Sequence, residues 1–407
     1  MSNEPRRLSA RDVLGVVAAL AMIALVWAWQ AELSWRGAVA LQIVPANAEL
    51  KDLLGYHMEG IARTWMSDRP AGELPFRWGE GVLMLGLDCA ARTLHEDSGA
   101  REIDGYVRGY YEAHRARGIA FTWSDEVTPA IAAASRLARG EAAQQHVVDD
   151  AVQYVLHAPR TTTHGVITHF GRSPLRYLAP PFPDAWVDSL FHVVPLLVRH
   201  GQLVNASREI DEAAEQVVRF MRAAQDPRNG LVTHAFSERD GQLVREPPFE
   251  ADAYWLRGQG WVLASGVEAW AALPEEHSLR GELGDRLQKL ARSLLVYQAP
   301  SGLFHTLVTR KDTYEETAGS ALVIYGLARG GRVGLLEADA LHAVGRGMRG
   351  LIAIVDHERD RFEVTGTSLG TNPWPAVYEH VPTAPQVSYG VGAWLLAACE
   401  VSQLQSF

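Results

Sequence analysis

The sequence predicts an all-α fold, an (α/α)6 barrel, because one helical pattern recurs along the chain. Six segments share a polar or aromatic opening, a helix rich in small and apolar residues, and a stop. Between them lie amphipathic helices with charge on one face, such as 209–225 and 282–298, a pattern typical of half-exposed helices. Six buried helices alternating with half-exposed ones indicate two concentric rings.

The six recurring segments are expected to form the inner ring. They are 77–94, 122–140, 185–201, 254–273, 315–331 and 388–402. Their uneven spacing favours a closed barrel with long loops over an open solenoid of helix pairs, which predicts a tighter repeat. A short pair of strands within 230–248 is expected at one end.

The N-terminal segment is predicted to be a separate element that crosses a membrane. Val13–Trp29 is an uncharged apolar run, at the short edge of the roughly 17–25 residues that span a bilayer. Arg6, Arg7 and Arg11 precede it, which places the N-terminus in the cytoplasm by the positive-inside rule. A cleaved signal peptide is the alternative, but the run is longer than a usual signal-peptide core.

This interpretation gives the domain organisation and the location. A cytoplasmic N-terminus (1–12), a transmembrane signal anchor (13–33), a tether (34–49) and the barrel (50–407) follow one another. The protein is therefore expected to be membrane-anchored, with its barrel outside the cytoplasm or in a periplasm.

Composition excludes several classes of function. The 407-residue chain carries a formal net charge of −10 and has no block of Lys or Arg, so nucleic acid is not an expected partner. Two distant cysteines, Cys89 and Cys399, provide neither a disulfide framework nor a metal set. Patterns of zinc proteases, α/β-hydrolases and nucleotide-binding loops are absent. No metal and no cofactor are expected.

The openings of the inner helices are the candidate functional site, because parallel inner helices bring their N-terminal ends to one mouth. Tryptophan recurs there beside an acid or an arginine. The candidate residues are Trp78, Asp125, Trp186, Asp188, Trp255, Arg257 and Trp261. Helix capping explains a single acidic residue at a helix start, but it explains less well why an acid or arginine recurs beside tryptophan at several openings.

Asp188 is the leading catalytic candidate. Asp184 occupies the expected N-cap position, which would place Asp188 one turn inside the helix and His192 one turn further along the same face. A carboxyl against an apolar wall should be partly desolvated, which raises its pKa towards the range of a general acid. Asp125 would raise that pKa further if the two carboxyls lie close together.

Two other residues near the openings are candidates for substrate binding. Arg257 stands between Trp255 and Trp261 with glycines on either side, an arrangement suited to an anionic or planar group. His234, in "LVTHAF", belongs to a loop or strand expected to reach the same mouth.

Several segments resemble the glycosyl hydrolases that remove unsaturated uronic acids, namely the unsaturated rhamnogalacturonyl hydrolases and, more distantly, the unsaturated glucuronyl hydrolases. The motifs are "WVDSLF", "YWLRGQGW", "ETAGSALVIYGLARGGRVG", "GTSLGT" and "YGVGAWLLAACE". They occur in the family order, and the resemblance covers about 50–402. It implies an (α/α)6 barrel, as the repeat does.

The resemblance also implies roles and a reaction. Asp188 would be the general acid/base and Asp125, in "WSDEVTP", the second active-site aspartate. Pocket positions would be His234, Trp255, Arg257 and Trp261, with Trp78 and His192 where the family more often has other residues. The substrate would be an oligosaccharide that ends in a 4,5-unsaturated uronate, whose double bond is hydrated.

Two alternatives remain at this stage. One is another (α/α)6 enzyme, an ordinary glycosidase or a sugar epimerase, and an epimerase should show paired histidines at the mouth. The other is a membrane-tethered barrel that binds glycans without catalysis. The positions of the two aspartates discriminate between an enzyme and a non-catalytic barrel, because catalysis requires both in one pocket with Arg257 and the tryptophans.

Overall fold

Inner and outer helices alternate in chain order in the computed structural model, which describes residues 47–94, 98–177, 182–239 and 242–404. The outer helices are α1 (Asn47–Asp68), α3 (Ser98–Arg117), α5 (Gln145–His157), α7 (Ser207–Ala224), α9 (Arg280–Tyr297) and α11 (Ala338–Ala353). The inner helices are α2 (Trp78–Thr93), α4 (Pro129–Leu137), α6 (Asp188–Val204), α8 (Leu256–Ala272), α10 (Thr317–Arg332) and α13 (Ser388–Ser402). A single turn, α12 (Pro375–Tyr378), precedes the last of these. The predicted alternation is confirmed.

The inner helices form a closed ring. Each packs against the next, in the order α2, α4, α6, α8, α10 and α13, and α13 packs against α2. The ring closes where Gly86 of α2 meets Gly392 of α13, since a Cβ at Gly86 would lie 2.5 Å from the carbonyl oxygen of Gly392. An open solenoid would leave its first and last helices apart.

Burial differs between the two rings as the sequence pattern predicts. Every residue of α8 from Leu256 to Ala269 is buried, because most are small or apolar and the larger polar ones, Arg257, Gln259 and Glu268, are hydrogen-bonded within the protein. Helix α7 buries only one face, with Val217, Phe220 and Met221 inside.

The connections between helices carry small antiparallel sheets. Strands β1 (Ala185–Trp186), β2 (Ala235–Arg239) and β3 (Gln242–Glu246) form one sheet in that order. Strands β4 (Val355–Glu358) and β5 (Arg361–Val364) form a second, and β6 (Thr367–Ser368) pairs with β7 (Thr383–Ala384). The β2–β3 hairpin is the strand pair expected within 230–248.

The start of α6 differs from the sequence prediction. The helix begins at Asp188, so Asp184 is not its N-cap and Asp188 does not lie one turn inside. The cause is β1, because Trp186 pairs with Ala235 and the amide of Val187 donates to the carbonyl oxygen of His234 at 2.9 Å. This pairing keeps the chain extended through Trp186, and Val187 then turns into the helix.

The N-terminal prediction falls almost wholly outside the described residues. By internal contacts the chain divides into two units, 1–50 and 51–407. The predicted cytoplasmic stretch and the anchor (13–33) lie outside the described residues, and the last residues of the predicted tether already belong to α1. Within the described ranges, no helix has the length and apolar character needed to cross a membrane.

Candidate active site

A cavity of about 400 Å³ lies at the N-terminal ends of the inner helices. Seven of the nine predicted site residues line it. They are Trp78, Asp125, Trp186, Asp188, His192, Trp255 and Arg257. The other two, His234 and Trp261, are buried behind the wall. Aspartates, Arg257 and tryptophans therefore share one pocket, which is the arrangement that the catalytic interpretation requires.

Asp188 is held by a histidine from a neighbouring loop. Its Oδ2 lies 3.1 Å from Nε2 of His234, whose Nδ1 lies 2.9 Å from the hydroxyl of Tyr378. His234 also stacks on Trp255, with ring centroids 4.1 Å apart. The Asp188 side chain remains 16% exposed, so the carboxylate faces the cavity while the imidazole holds it from behind.

Asp188 does not have the raised pKa that the sequence predicted. Burial raises its pKa, but the hydrogen bond and the charge of His234, with smaller contributions from His169 and His192, outweigh burial and lower the pKa to about 2. Its place at the first residue of α6 acts in the same direction, since a helix N-terminus favours an anion. In the free protein Asp188 is therefore a carboxylate.

The raised pKa belongs to Asp125. Burial raises it well above its usual value, and the charges of Asp188 and Glu126 add to that effect. Asp125 is 7% exposed and lies in the short turn before α4. The two carboxyls thus have opposite protonation tendencies, an arrangement that assigns acid and base roles in many active sites.

Two neutral histidines surround Asp125. Its Oδ1 lies 3.6 Å from Nε2 of His169 and 3.5 Å from Nδ1 of His192, and the contact with His169 is too long for a hydrogen bond. Burial lowers the pKa of His169 to about 3 and that of His192 to about 4. These side chains therefore bring one carboxyl oxygen and two imidazole nitrogens together.

Serine hydroxyls orient the His169 ring. Nδ1 of His169 lies 3.1 Å from the hydroxyls of both Ser124 and Ser189. The ring lies flat on Trp186, with centroids 4.3 Å apart and planes 3° from parallel. This fixes Nε2 towards Asp125.

The same cluster offers atoms to a metal ion. One ligand atom from each of Asp125, His169 and His192 lies within 4.8 Å of the others. Uncharged imidazole is the form that binds metals. The sequence interpretation, which expects no metal, stays a prediction.

Arg257 is held by the protein rather than left free for a ligand. Its Nη1 donates to the carbonyl oxygen and the hydroxyl of Ser368, both at 3.0 Å, and its Nη2 donates to the carbonyl oxygen of Leu369 at 3.1 Å. Glu316, the N-cap of α10, lies 3.4 Å from Nη1. The anionic or planar group expected at Arg257 would have to contact the guanidinium atoms that these partners do not occupy.

Arg257 positions the loop after β6. The residues that follow the strand, Gly370, Thr371 and Asn372, line the cavity. The guanidinium lies between the rings of Trp255 and Tyr389, 4.8 Å from each centroid. Arg257 therefore connects helix α8 to one wall of the pocket.

Aromatic rings form most of the remaining wall. Trp78 packs on Tyr389, with centroids 4.3 Å apart, and presents its other side to the cavity. Trp123, Phe170 and Phe182 also line the cavity. Trp261 supports the floor from below, 4.7 Å from Phe191.

Three of the site residues that sequence reasoning missed are His169, Phe170 and Tyr378. His169 and Phe170 come from the loop before β1, and Tyr378 comes from α12, which no inner-helix pattern marks. The signal available for His169 was its place beside Phe170, shortly before the segment that carries Asp188. Nothing in the local sequence marks Tyr378.

A closed ring of helix pairs, with an aspartate pair and aromatic rings in a cavity at its mouth, is the arrangement expected of an (α/α)6 glycoside hydrolase. Comparison with known proteins agrees. Residues 50–405 match the model of Glycosyl Hydrolase Family 88, and the chain belongs to that family.

The relatives with a named activity have low sequence identity to this chain. The chain is 25% identical over 241 residues to the unsaturated rhamnogalacturonyl hydrolase YesR of Bacillus subtilis, covering 58% of this chain and 62% of that protein. It is 25% identical over 224 residues to an unsaturated 3S-rhamnoglycuronyl hydrolase of Formosa agariphila, covering 54% of this chain and 58% of that protein. The matches thus span less than two thirds of either relative.

A solved structure supports the fold. A possible member of the GH105 family from Salmonella enterica superimposes with a TM-score of 0.74 at 22% identity, covering 89% of this chain and 96% of that one. At this identity the likeness concerns the fold, and the (α/α)6 architecture agrees with the ring of helices described above.

Proposed function

We propose that this protein removes a terminal 4,5-unsaturated uronic acid from oligosaccharides released by polysaccharide lyases. The observation that carries the proposal is the cavity-facing Asp188, fixed by His234, in one pocket with Asp125. Family membership and the activities named for the two hydrolase relatives support the same reaction.

The substrate's C4=C5 double bond is an enol ether, which reacts by hydration. A proton adds to C4, and the ring oxygen stabilises the cation that forms at C5. Water then attacks C5 and gives a hemiketal, which opens and releases the rest of the oligosaccharide. One acid/base group can serve both steps, so two flanking carboxylates of the ordinary glycosidase kind are not required.

Asp188 is proposed as the group that delivers the proton and then activates water. The protonated form is needed for the first step, whereas the free protein holds Asp188 as a carboxylate. A bound uronate brings a negative charge into the pocket, and a like charge raises the pKa of a carboxyl. Substrate binding would thus move Asp188 towards the form that starts the reaction.

Asp125 is proposed to contact the sugar as a neutral acid. The raised pKa means that Asp125 keeps its proton, so Asp125 can donate a hydrogen bond to a sugar hydroxyl in the cavity that it lines. The aromatic wall suits the faces of the sugar ring.

A different division of labour is testable on the same pair. The opposite pKa shifts would also suit Asp125 as the acid and Asp188 as the base. If Asp188 serves both steps, Asp125→Asn should retain far more activity than Asp188→Asn. Equal losses of kcat in the two variants, with KM unchanged, would favour Asp125 as the acid and Asp188 as the base.

The proposed function is tested by absorbance. Unsaturated uronates absorb in the far ultraviolet, and hydration removes that absorbance. The protein should remove it with at least one oligosaccharide set derived from pectin, ulvan or glycosaminoglycan by lyases. Persistent absorbance with all three would refute the proposal. A changed sugar configuration with the absorbance intact would favour an epimerase, which the histidines near Asp125 keep under consideration.

We also propose that residues 13–33 anchor the protein in a membrane, with the barrel outside the cytoplasm. The support is the apolar run Val13–Trp29 and the arginines before it. The full chain should remain with membranes after alkaline extraction. Val17→Arg with Leu25→Arg should release it, and a full chain that is extracted like the double variant would contradict the anchor.

A further inference from the structure

Behind Asp188 lies a buried chain of hydrogen bonds that the proposed reaction does not yet explain. Nε2 of His234 contacts the carboxylate of Asp188, and the other ring nitrogen, Nδ1, lies 2.9 Å from the hydroxyl of Tyr378. Tyr378 has no exposed surface, so its hydroxyl cannot contact a substrate in the cavity. Its action on the site must pass through His234.

We propose that Tyr378 is a positioning residue that keeps Nε2 of His234 protonated and directed at Asp188. The inference rests on the proposed function of Asp188. A neutral imidazole has one N–H and one acceptor nitrogen. If Tyr378 donates its O–H to Nδ1, the N–H must be on Nε2, where it donates to the carboxylate of Asp188.

A hydroxyl suits this position because it can donate and accept. When His234 is neutral, Tyr378 donates to Nδ1. When His234 is protonated, Nδ1–H donates to the oxygen of Tyr378, and the ring does not need to turn. His234 can thus keep its contact with Asp188 while the charge of the carboxyl changes during a reaction cycle.

The phenol remains un-ionised at every relevant pH, as the proposal requires. Burial raises the pKa of Tyr378 well above its usual value, and the charges of Asp188 and Glu246 add to the effect. The titratable groups whose charges act on the hydrogen-bonded series Asp188–His234–Tyr378 include Asp125, His169, His192 and Glu246. A phenolate, which could only accept, is therefore excluded.

The surroundings hold Tyr378 in place. Its ring lies nearly parallel to Trp255, with planes 9° apart and centroids separated by 6.3 Å. The next residue, Glu379, forms two 3.0 Å contacts with Arg310. The single turn of α12 thus fixes a hydroxyl that comes from 144 residues further along the chain than His234.

The test is Tyr378→Phe in the full chain. The control is Tyr254→Phe, because Tyr254 is also buried and its hydroxyl donates to Asp226 and not to His234. Nitrogen-15 NMR of labelled histidines, with His234 assigned by His234→Gln, should show the Nε2–H form in the wild type and in the control. Tyr378→Phe should shift the His234 signals towards a mixture of both N–H forms. The Tyr378→Phe substitution should also lower kcat about five- to tenfold, since one hydrogen bond contributes about 1 kcal/mol. It should displace the pH profile of kcat and leave KM unchanged.

Two results would overturn the role of Tyr378. One is a wild-type His234 with its proton on Nδ1 at neutral pH, which needs no variant. The other is a Tyr378→Phe protein with unchanged His234 signals and an unchanged pH profile. Because NMR reads the imidazole directly, absence of activity on unsaturated oligosaccharides would refute the proposed function without deciding the role of Tyr378.

Discussion

Nε2 of His234 lies 3.1 Å from Oδ2 of Asp188, and this contact sets the charge of the candidate catalytic carboxyl. Burial alone would raise the pKa of Asp188, as it does for Asp125, but His234 reverses the direction. One pocket therefore holds a carboxylate and a carboxylic acid close together.

This difference predicts opposite effects on stability. The pKa of Asp188 is lowered from 3.8 to about 2, so this carboxyl stabilises the folded state above pH 4, and the contribution is lost as pH falls towards 2. Asp188→Asn should therefore cost about 2 kcal/mol at neutral pH.

Asp125 should behave in the opposite way. Its raised pKa means that the folded state holds the proton more strongly, so its contribution to stability falls as pH rises above the unfolded-state pKa. Asp125→Asn should stabilise the protein at neutral pH, and the gain should shrink towards pH 4. Thermal unfolding of both variants from pH 4 to 8 checks the two signs, and a shared sign at pH 7 would contradict the assigned charges.

Trp78 is expected to bind substrate without taking part in chemistry. Its ring faces the cavity from its place on Tyr389. Trp78→Leu should raise KM about tenfold, as loss of about 1.4 kcal/mol of stacking would, with kcat nearly unchanged. Trp270→Leu is the control, because Trp270 packs against Arg280. Steady-state kinetics of both variants check this prediction, and a fall in kcat alone for Trp78→Leu would argue against a binding role for Trp78.

Closure of the helix ring depends on glycine. A Cβ at Gly392 would collide with the backbone of Val82 and Leu83 on α2, so Gly392→Ala should destabilise the protein by about 2 kcal/mol. Gly105 lies on α3, and a Cβ there would meet nothing within 4 Å. Gly105→Ala should be neutral or stabilise by up to about 1 kcal/mol. Urea unfolding measures the stability of both variants. Equal unfolding midpoints for Gly392→Ala and Gly105→Ala would show that α2 and α13 do not pack this closely.

The sequence could predict the ring of helices because burial on all faces is a local pattern. Small and apolar residues around α8 or α13 identify an inner helix without reference to any other segment. Asp125 and Asp188 could be predicted for a related reason, since each stands at the opening of such a helix.

Local patterns could not predict the charge of Asp188 or the start of its helix. Both depend on the segment around His234, 46 residues away, which pairs with β1 and supplies the imidazole. Tyr378 lies 144 residues beyond His234. The expectation of a raised pKa considered burial and a second carboxyl, and omitted the histidine that outweighs them.

Arg257 shows the same limit. Its flanking tryptophans and glycines correctly indicated a place at the pocket wall. Its partners Ser368 and Leu369 lie more than 100 residues further along the chain. No local pattern shows that they accept hydrogen bonds from both terminal nitrogens of the guanidinium.

The rate of far-ultraviolet absorbance loss in Asp188→Asn tests the central claim most directly, with Asp184→Asn as the matched control on the other side of β1. The wild type and Asp184→Asn should hydrate a lyase-derived oligosaccharide at similar rates, and Asp188→Asn should be slower by a factor of about 10³, since general acid/base catalysis contributes 10²–10⁴. Folded Asp188→Asn protein that hydrates the same substrate at the wild-type rate would contradict the account.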